Sequence, residues 1–408
     1  MITVQEAHCI IRESTLLNTH TANIPLRQLA GRIMAEEIRA EFPMPRFTNS
    51  AMDGFAVMHD DIADSTDSEP ARLTVTQELP AGAQMTRPIG TGTCARIMTG
   101  APMPDGADTV VPFEETSGLV GDIVSVYKAP KRGANIRRAG EEVATGDLLI
   151  SRGICITPAE IAILATFGIA SAEVYRQPKV ALVTVGDELR LPGEKAEPLS
   201  IYNSNLSMLE ACVRSAGADM AGSWQIPDEL LRIREVLERS LGKSDLLITA
   251  GGISTGQYDF MQEALTELGV EQRFWKVAQK PGKPIYFGIA PSGTMVFSLP
   301  GNPVSALVCF LEYVMPALQM LQGAEMPTKI EALLDTPFSA DRKRHRFLFG
   351  QLRAESGQLR CSVSPKTESH MLTALCGANC LIESPPSPEP LPAGSLVICS
   401  MLPWAASL

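Results

Sequence analysis

Between positions 180 and 321 the sequence alternates short apolar runs with segments whose apolar residues have helical spacing. The apolar runs are nearly continuous, which is typical of strands that are buried on both faces of a parallel sheet. The predicted strands are 180–185, 245–250, 274–278, 284–289 and 294–299, and the predicted helices are 204–216, 228–241, 259–268 and 303–321. This alternation predicts a central, mostly parallel α/β/α sheet domain.

The segments on either side of this domain have different patterns. Residues 3–40 have helical spacing with a turn at 23–25, and 157–168 predict a further helix that has Pro158 in its first turn. Short apolar runs between glycine and proline turns predict β-rich segments before and after the α/β domain. We therefore predict four domains: a discontinuous N-terminal helical domain (1–45 and 147–177), an inserted β-rich domain (46–146), the α/β domain (178–326) and a small C-terminal β-barrel-like domain (327–408).

Charge and composition exclude several classes of function. The net charge of −11 argues against a nucleic-acid-binding surface. The most apolar stretch, 304–321, contains Glu312 and Pro316, so it predicts a buried helix rather than a membrane span. The N-terminal residues lack the pattern of a signal peptide, and the nine cysteines form no CxxC pair. We therefore expect a cytoplasmic protein with reduced thiols and neither a nucleic-acid nor a membrane partner.

Polar loops follow three of the predicted strands. Residues 186–188 (GDE) follow the first strand, 251–256 (GGISTG) follow the second, and 300–303 (PGNP) follow the last. In an open α/β sheet the ligand binds beyond the carboxyl ends of the strands, so these loops are expected to meet at one edge. The sequence therefore predicts the ligand site at that edge.

The glycine-rich loop is suited to an anion. Gly251, Gly252 and Gly256 would let backbone N–H groups approach an oxyanion closely, and Ser254 adds a hydroxyl group. A glycine-rich loop is also a common plain turn. Its position after a buried strand favours the binding interpretation.

Two helix starts near this edge have both a structural and a functional interpretation. Asn302 and Pro303 have the pattern of an N-cap followed by proline at the first helical position. A helix N-terminus can also bind phosphate, and we expect both roles here. Asp259, with Gln262 three residues later, fits a capping box, which is the simpler interpretation of that carboxylate.

Adjacent carboxylates follow the first strand. Asp187 and Glu188 would repel each other at a strand end unless a cation joins them. Mg²⁺ is commonly held by one or two carboxylates together with a substrate phosphate. A solvated acidic turn is the alternative.

The segment 280–284 (KPGKP) is the most distinctive in the chain. Two prolines stiffen a turn that carries Lys280 and Lys283, and Lys276 lies just upstream. A rigid pair of ammonium groups could clamp an oxyanion, which an acidic protein otherwise binds poorly. A solvated basic turn would not need this rigidity.

Taken together, these segments resemble the MoeA-type molybdopterin molybdenumtransferases, a family that includes the E domain of gephyrin. The matching segments are FTNSAMDGFA from Phe47, RIMTGAPMP from Arg96, NIRRAGEE from Asn135, TVGDEL from Thr184, GGISTGQYDF from Gly251, FWKVAQKPGKP from Phe274, LPGNPVSA from Leu299 and ESHMLTALCGANCLI from Glu368. The resemblance extends over most of the chain, and KPGKP followed by LPGNPVSA is its most specific part.

The resemblance implies a homodimer in which each active site combines the α/β domain of one subunit with the β-rich domain of the other. It implies adenylated molybdopterin and molybdate as substrates and Mg²⁺ as cofactor. The implied reaction, in molybdenum cofactor biosynthesis, places molybdenum on the dithiolene sulfurs and releases AMP. The adenylyltransferase and molybdoenzyme-maturation proteins are the implied protein partners.

The family's functional residues can be carried over by position. The implied catalytic residues are Asp53, Thr99 and Glu142 from one subunit and Glu188, Asp228, Asp259, Lys276 and Lys280 from the other. The implied cofactor-binding residues are Gly251, Gly252, Ser254, Gly256, Lys283, Pro300, Gly301, Asn302 and Pro303, and the implied metal ligands are Asp187, Glu188 and Asp259. We expect the lysines to hold oxyanions and the carboxylates to position Mg²⁺ and water.

Two positions depart from the family pattern. Glu142 stands where the family usually has aspartate, and Asn203-Ser204-Asn205 stands where it commonly has Asp-Thr-Asn. These departures give some support to a non-enzymatic scaffold or storage protein. A molybdopterin adenylyltransferase or a nucleotide pyrophosphatase on the same α/β fold is a further alternative, and tungstate is an alternative oxyanion.

Overall fold

The computed structural model describes residues 1–17, 20–84, 86–195, 197–252, 260–324, 326 and 328–405. The chain forms two compact units. The larger unit comprises Met1–Glu36, Arg152–Ile161 and Ala170–Leu408, and the smaller unit comprises Glu37–Ser151 and Ala162–Ile169.

The larger unit is built around a six-stranded sheet. In order across the sheet, its strands are Asp219–Ile226, Lys179–Val185, Leu246–Ala250, Met295–Leu299, Tyr286–Ile289 and Glu271–Trp275. The first four are parallel to one another, whereas Tyr286–Ile289 is antiparallel to both of its neighbours. Five of the six strands therefore share one direction, which confirms the predicted mostly parallel sheet.

Helices cover both faces of this sheet. Alternate residues of its strands point to opposite sides, so each face has its own buried cluster. Leu182 and Ile248 pack in one buried cluster with the helix Ser204–Ser215, and Val183 and Leu247 pack in another with the helices Leu230–Leu241 and Phe260–Glu267. The edge strand Asp219–Ile226 was not predicted. Only its last residue is fully buried, so it lacks the continuous apolar run of the inner strands.

The segment Pro303–Leu321 is helical throughout. It consists of the α-helix Pro303–Cys309, a π-helical turn at Phe310–Val314 and the α-helix Met315–Leu321. By length and composition it could cross a membrane, but 78% of its most apolar window is buried inside the protein. It is therefore a core helix, as predicted, and we call it the closing helix.

The N-terminal segment only partly follows the prediction. The helix Val4–Ser14 begins with a capping box between Thr3 and Glu6. Beyond it, Thr21–Pro25 is a strand that pairs antiparallel with Ser171–Tyr175, and only a short 3₁₀ helix follows at Leu26–Gln28. The prediction of helix as far as residue 40 is wrong, because a complete row of backbone partners from a distant strand outweighs the local helical spacing.

The C-terminal part of the larger unit contains a closed five-stranded β-barrel, which confirms the predicted barrel-like fold. Going round the barrel, the strands are His345–Glu355, Gln358–Val363, Ile330–Leu334, Leu396–Met401 and Cys380–Ser384, and the last pairs with the first. The two-residue strand Gln279–Lys280 adds to His345–Glu355. Three short elements complete the unit: Leu189–Arg190 paired with Ile201–Tyr202, and the 3₁₀ helix Leu372–Leu375.

The smaller unit is β-rich, as predicted. Its five-stranded sheet has the order Thr109–Pro112, Gly54–Val57, Thr93–Ile97, Ala71–Leu79 and Ile123–Val126. Two smaller pairings join Asn49–Ser50 to Ile136–Arg137 and Ile38–Arg39 to Leu148–Ile150, and 3₁₀ helices lie at His59–Asp61 and Phe113–Glu115. The helix Pro158–Thr166 is the one predicted from Pro158.

A buried carboxyl group lies in the π-helical turn of the closing helix. Glu312 is 5% exposed, and its Oε2 lies 3.6 Å from Nε2 of His8. Burial, followed by the nearby Glu383 carboxylate, raises the pKa of Glu312 well above its usual range. Burial and the Lys329 ammonium lower the pKa of His8 to about 4. Near neutral pH both partners are therefore uncharged, which is how the core accommodates them.

We predict that Glu312→Gln makes the protein less sensitive to alkaline pH. The folded state retains the Glu312 proton above the unfolded pKa of about 4.3, so the free energy of unfolding falls as the pH rises beyond that value. The amide cannot ionise, and we expect it to raise that free energy by roughly 1–3 kcal/mol at about pH 8 and much less at about pH 5. Urea unfolding across this range measures the effect.

The exposed helical glutamate Glu238 provides the control, because Glu238→Gln makes the same change from carboxyl to amide at the surface. Its unfolding free energy should follow that of the wild type at every pH. If the Glu312→Gln curve also ran parallel to the wild-type curve, the buried carboxyl group would not be titrating as described.

Candidate active site

The strand ends of the central sheet surround a cavity of about 560 Å³, a volume typical of small-molecule sites. All three loops predicted to meet at this edge contribute to its lining. The lining residues from these loops are Gly186, Glu188, Gly251, Gly252, Pro300, Gly301, Asn302 and Pro303, and Asp228 lines the cavity beside them. Eight of the eighteen residues that the sequence assigns to the site therefore line this cavity.

Gly251 explains why the glycine-rich loop can start so close to the neighbouring strand. Its φ angle is +90°, and a Cβ atom at this position would lie 2.4 Å from the carbonyl oxygen of Val185. No other residue fits this backbone without a shift, so the glycine is a structural requirement. Ser254, Gly256 and Asp259, which the sequence also assigns to the site, lie outside the described residues.

Two carboxylates, Glu188 and Asp228, line the acidic side of the cavity, and Asp187 lies beside Asp228. The backbone N–H of Asp228 donates to Oδ1 of Asp187 at 3.1 Å. Burial, followed by the charges of Asp187 and Glu188, raises the pKa of Asp228. Its Oδ1 atom is buried and accepts no hydrogen bond from the described part of the chain. A buried carboxylate oxygen without a hydrogen-bond donor, beside two other acidic side chains, is suited to binding a cation.

The described residues contain no ready-made metal cluster of three or more His, Cys, Asp or Glu side chains. Asp187 is exposed at the rim, whereas Glu188 and Asp228 line the cavity. The third predicted ligand, Asp259, lies outside the residues that the structure describes. The acidic side is therefore a partial set of oxygen ligands that a substrate phosphate and water would have to complete.

The side chain of Asn302 does not cap the closing helix. The helix begins at Pro303, as predicted, with Asn302 in the N-cap position but without a side-chain capping bond. Instead, the Asn302 amide donates to the hydroxyl of Ser369 at 3.3 Å. The predicted capping by the Asn302 side chain is therefore wrong, because the side chain is instead bonded through its amide N–H to a barrel loop distant in sequence. Asn205 holds the same turn by donating to the Gly301 carbonyl at 2.7 Å.

The KPGKP turn borders the site, but neither of its two lysines lines the cavity. Pro284 lines the cavity, whereas Lys280 and Lys283 are not among its lining residues in the described structure. The turn is held rigidly, since Pro281 and Gly282 are buried and Gln279 donates to the Pro281 carbonyl at 3.0 Å.

Each of the three predicted lysines has a different environment. Lys280 forms an ion pair with Glu368, with 3.4 Å between Nζ and Oε1. Lys276 adopts a positive φ of 69° and places its ammonium 3.7 Å from the ring centre of Trp275. Lys283 is exposed.

A second polar constellation lies in the smaller unit. The Asp53 carboxylate accepts hydrogen bonds from both the backbone N–H and the hydroxyl of Thr99, each at 2.7 Å. These bonds, the backbone one first, hold the pKa of Asp53 below its usual value. The surrounding turns are tied together, because the backbone N–H of Gly100 donates to the Ser50 carbonyl at 2.8 Å. Glu142, the third predicted residue here, is exposed.

Comparison with known proteins identifies the family. Three family models match consecutive parts of the chain: the MoeA N-terminal region (domain I and II) at 2–168, the probable molybdopterin binding domain at 181–320, and the MoeA C-terminal region (domain IV) at 331–400. Molybdopterin molybdenumtransferase 2 of Mycobacterium tuberculosis is 35% identical and covers 97% of this chain and 98% of its own length. The chain belongs to the MoeA family.

Other MoeA relatives agree with this assignment. Molybdopterin molybdenumtransferase of Haemophilus influenzae is 33% identical over 94% of both chains. The crystal structure of a molybdopterin biosynthesis MoeA protein from Pyrococcus horikoshii superimposes with a TM-score of 0.85 at 28% identity, and covers 98% of this chain and all of the other. The fold and the sequence therefore identify the chain as a transferase of this family.

Membership of the MoeA family makes the departure at Asn203 informative. Asn203 is buried, and its amide donates to the Thr184 hydroxyl and to the Gln225 side-chain oxygen, both at 2.8 Å. Its own oxygen accepts the N–H of Leu206 and so caps the helix Ser204–Ser215. An aspartate at this position could accept the capping hydrogen bond, but its carboxylate could not donate hydrogen bonds to Thr184 and Gln225. The amide therefore retains the capping role and satisfies its two neighbours without a buried charge.

We predict that Asp228→Asn stabilises the protein at neutral pH. Because the folded pKa of Asp228 is raised, ionisation above the unfolded pKa of about 3.9 opposes folding. The amide removes this opposition, and we expect a Tm about 1–2 °C higher at about pH 7.5, with the gain shrinking as the pH approaches about 4.5. Thermal unfolding without divalent cations measures it, and a lower Tm at neutral pH would contradict the proposed charge crowding.

Proposed function

We propose that this protein inserts molybdate into adenylated molybdopterin in a Mg²⁺-dependent reaction that releases AMP. Its membership of the MoeA family supports the transferase activity in molybdenum cofactor biosynthesis. The observation that carries the finer proposal is the cavity at the strand ends, where a glycine-rich loop and a helix start lie beside crowded carboxylates. This combination suits a ligand that carries phosphate groups and arrives with a divalent cation.

The two sides of the cavity would bind different parts of the ligand. The backbone N–H of Gly252 and the N–H groups in the first turn of the closing helix, beyond Pro303, would receive phosphate oxygens, because the first N–H groups of a helix have no partner within it. The N–H of Gly251 already donates to the Leu299 carbonyl at 3.3 Å. Glu188 and Asp228 would hold Mg²⁺ on the opposite side. When bound, Mg²⁺ would neutralise phosphate charge and favour departure of AMP. The half-exposed ring of Tyr202 also lines the cavity and offers a flat apolar surface to a pterin or adenine ring.

The lysines of the KPGKP segment would hold the molybdate oxyanion next to the cavity. Lys280 lies on a strand that joins the turn to the barrel, and the turn reaches the cavity through Pro284. An ammonium group carried by a rigid turn can contact an anion with little loss of side-chain freedom. In a protein of net charge −11, such local positive charge is what an anionic substrate needs.

The remaining part of the site would come from a second copy of the chain. In a homodimer, Asp53, Thr99 and Glu142 of one subunit would face the cavity of the other. The ionised, firmly held Asp53 would orient water in the site, and the exposed carboxylate of Glu142 would contact the same ligands. The reaction would take place in the cytoplasm, between the adenylyltransferase that supplies the substrate and the maturation proteins that receive the cofactor.

The activity test uses the purified protein with adenylated molybdopterin, Mg²⁺ and molybdate. We expect AMP release, together with cofactor that activates an apo-molybdoenzyme. Lys280→Ala should reduce cofactor synthesis by about 100-fold or more, because it removes a charge that holds the oxyanion. Lys243→Ala, which removes an exposed lysine from a different groove, should retain full activity. Absence of AMP release by the wild type at every molybdate concentration would refute the proposed reaction.

The shared site can be tested by mixing two inactive variants. Lys280→Ala and Asp53→Asn should each be nearly inactive alone. After unfolding and refolding together, about half of the dimers should contain one chain of each kind, and one of their two sites would combine the two intact units. About a quarter of wild-type activity should then return. If mixed dimers form but remain inactive, each site belongs to a single chain and the shared-site proposal fails.

A further inference from the structure

Two consecutive residues of a barrel loop contact two different loops of the candidate site. The Glu368 carboxylate pairs with Lys280 at 3.4 Å, and the adjacent Ser369 hydroxyl accepts a hydrogen bond from Asn302 at 3.3 Å. The loop lies between the barrel strands Gln358–Val363 and Cys380–Ser384. Glu368 is therefore held beside the lysine rather than meeting it from a freely moving segment.

The carboxylate of Glu368 also acts on a second cation. Burial lowers the pKa of Arg346, and the Glu368 charge is the largest of the effects that oppose this shift. Arg346 belongs to the barrel strand with which the short strand containing Lys280 pairs. The Glu368 carboxylate is thus attracted to two positive groups, Lys280 and Arg346, at the edge of the site. An oxyanion in the same position would be attracted to the same two groups.

We propose that Glu368 competes with the molybdate oxyanion for Lys280 and thereby sets the affinity of the site for molybdate. This inference rests on the proposed function, in which Lys280 holds the oxyanion. In the absence of molybdate, Glu368 keeps the ammonium paired. When molybdate arrives, the carboxylate moves into solvent, which its side-chain exposure of 49% permits.

The size of the effect follows from the exposure of the pair. Partly exposed ion pairs contribute little free energy, because water screens them and both side chains lose freedom. Removing the competing charge should therefore tighten molybdate binding by about two- to five-fold. If Glu368 instead positioned Lys280 for binding, removing its charge would weaken binding, so the two roles predict opposite signs.

The experiment compares molybdate affinity in four proteins: the wild type, Glu368→Gln, Lys280→Ala and the double variant. Equilibrium dialysis at low ionic strength measures binding, and the KM for molybdate in cofactor synthesis provides a second measurement for the variants that retain Lys280. Glu331→Gln is the matched control, because it removes an equal charge from an exposed position on a barrel strand. This control should bind molybdate like the wild type.

We expect Glu368→Gln to bind molybdate about two- to five-fold more tightly than the wild type, and we expect the gain to disappear both at about 0.5 M salt and in the Lys280→Ala background. Unchanged or weaker binding by Glu368→Gln would overturn the inference while leaving the proposed function intact. An equal gain in the Lys280→Ala background would also overturn it, because Glu368 would then act without the lysine. If Lys280→Ala binds molybdate like the wild type, the lysine clamp of the proposed function fails, and this inference fails with it.

Discussion

Burial of the closing helix is the interaction on which the larger unit depends. A single buried cluster combines its apolar side chains with those of the N-terminal helix, one face of the central sheet and the barrel. The buried helix therefore packs against three structural elements at once. Burial of apolar surface supplies most of the favourable free energy of such packing. The same packing encloses Glu312, which the core accommodates only in its uncharged form.

The closing helix also links the core to the site. Its first residue, Pro303, lines the cavity, so the loop 300–303 is fixed at one end by the buried helix and at the other by the inner strand Met295–Leu299. Gly251 lies against the neighbouring strand end, where a side chain would clash with the Val185 carbonyl. The loops at this edge are thus positioned by the rigid elements that carry them, which favours a preorganised ligand site.

Charge is distributed unevenly around this site. Asp228 is crowded by Asp187 and Glu188 on one side, whereas Lys280 is paired with the Glu368 carboxylate. Such a separation suits an anionic ligand in an acidic protein, since a cation can join the ligand on the acidic side while a lysine meets it on the other. The ion pair between Lys280 and Glu368 connects the KPGKP turn to a loop of the barrel.

The sequence by itself determined the inner strands of the central sheet and the edge of that sheet at which the cavity lies. Continuous apolar runs define strands buried on both faces, and residues next to one another in the chain encode the turns at their ends. The family motifs, not composition, identified Asp53 and Thr99, which the structure joins by two hydrogen bonds. Only the tertiary structure decided which distant partners prevail: it paired Thr21–Pro25 with Ser171–Tyr175, turned Asn302 towards Ser369, and placed Glu368 beside Lys280. Local spacing cannot encode these choices, because each depends on groups that folding brings together from remote parts of the chain.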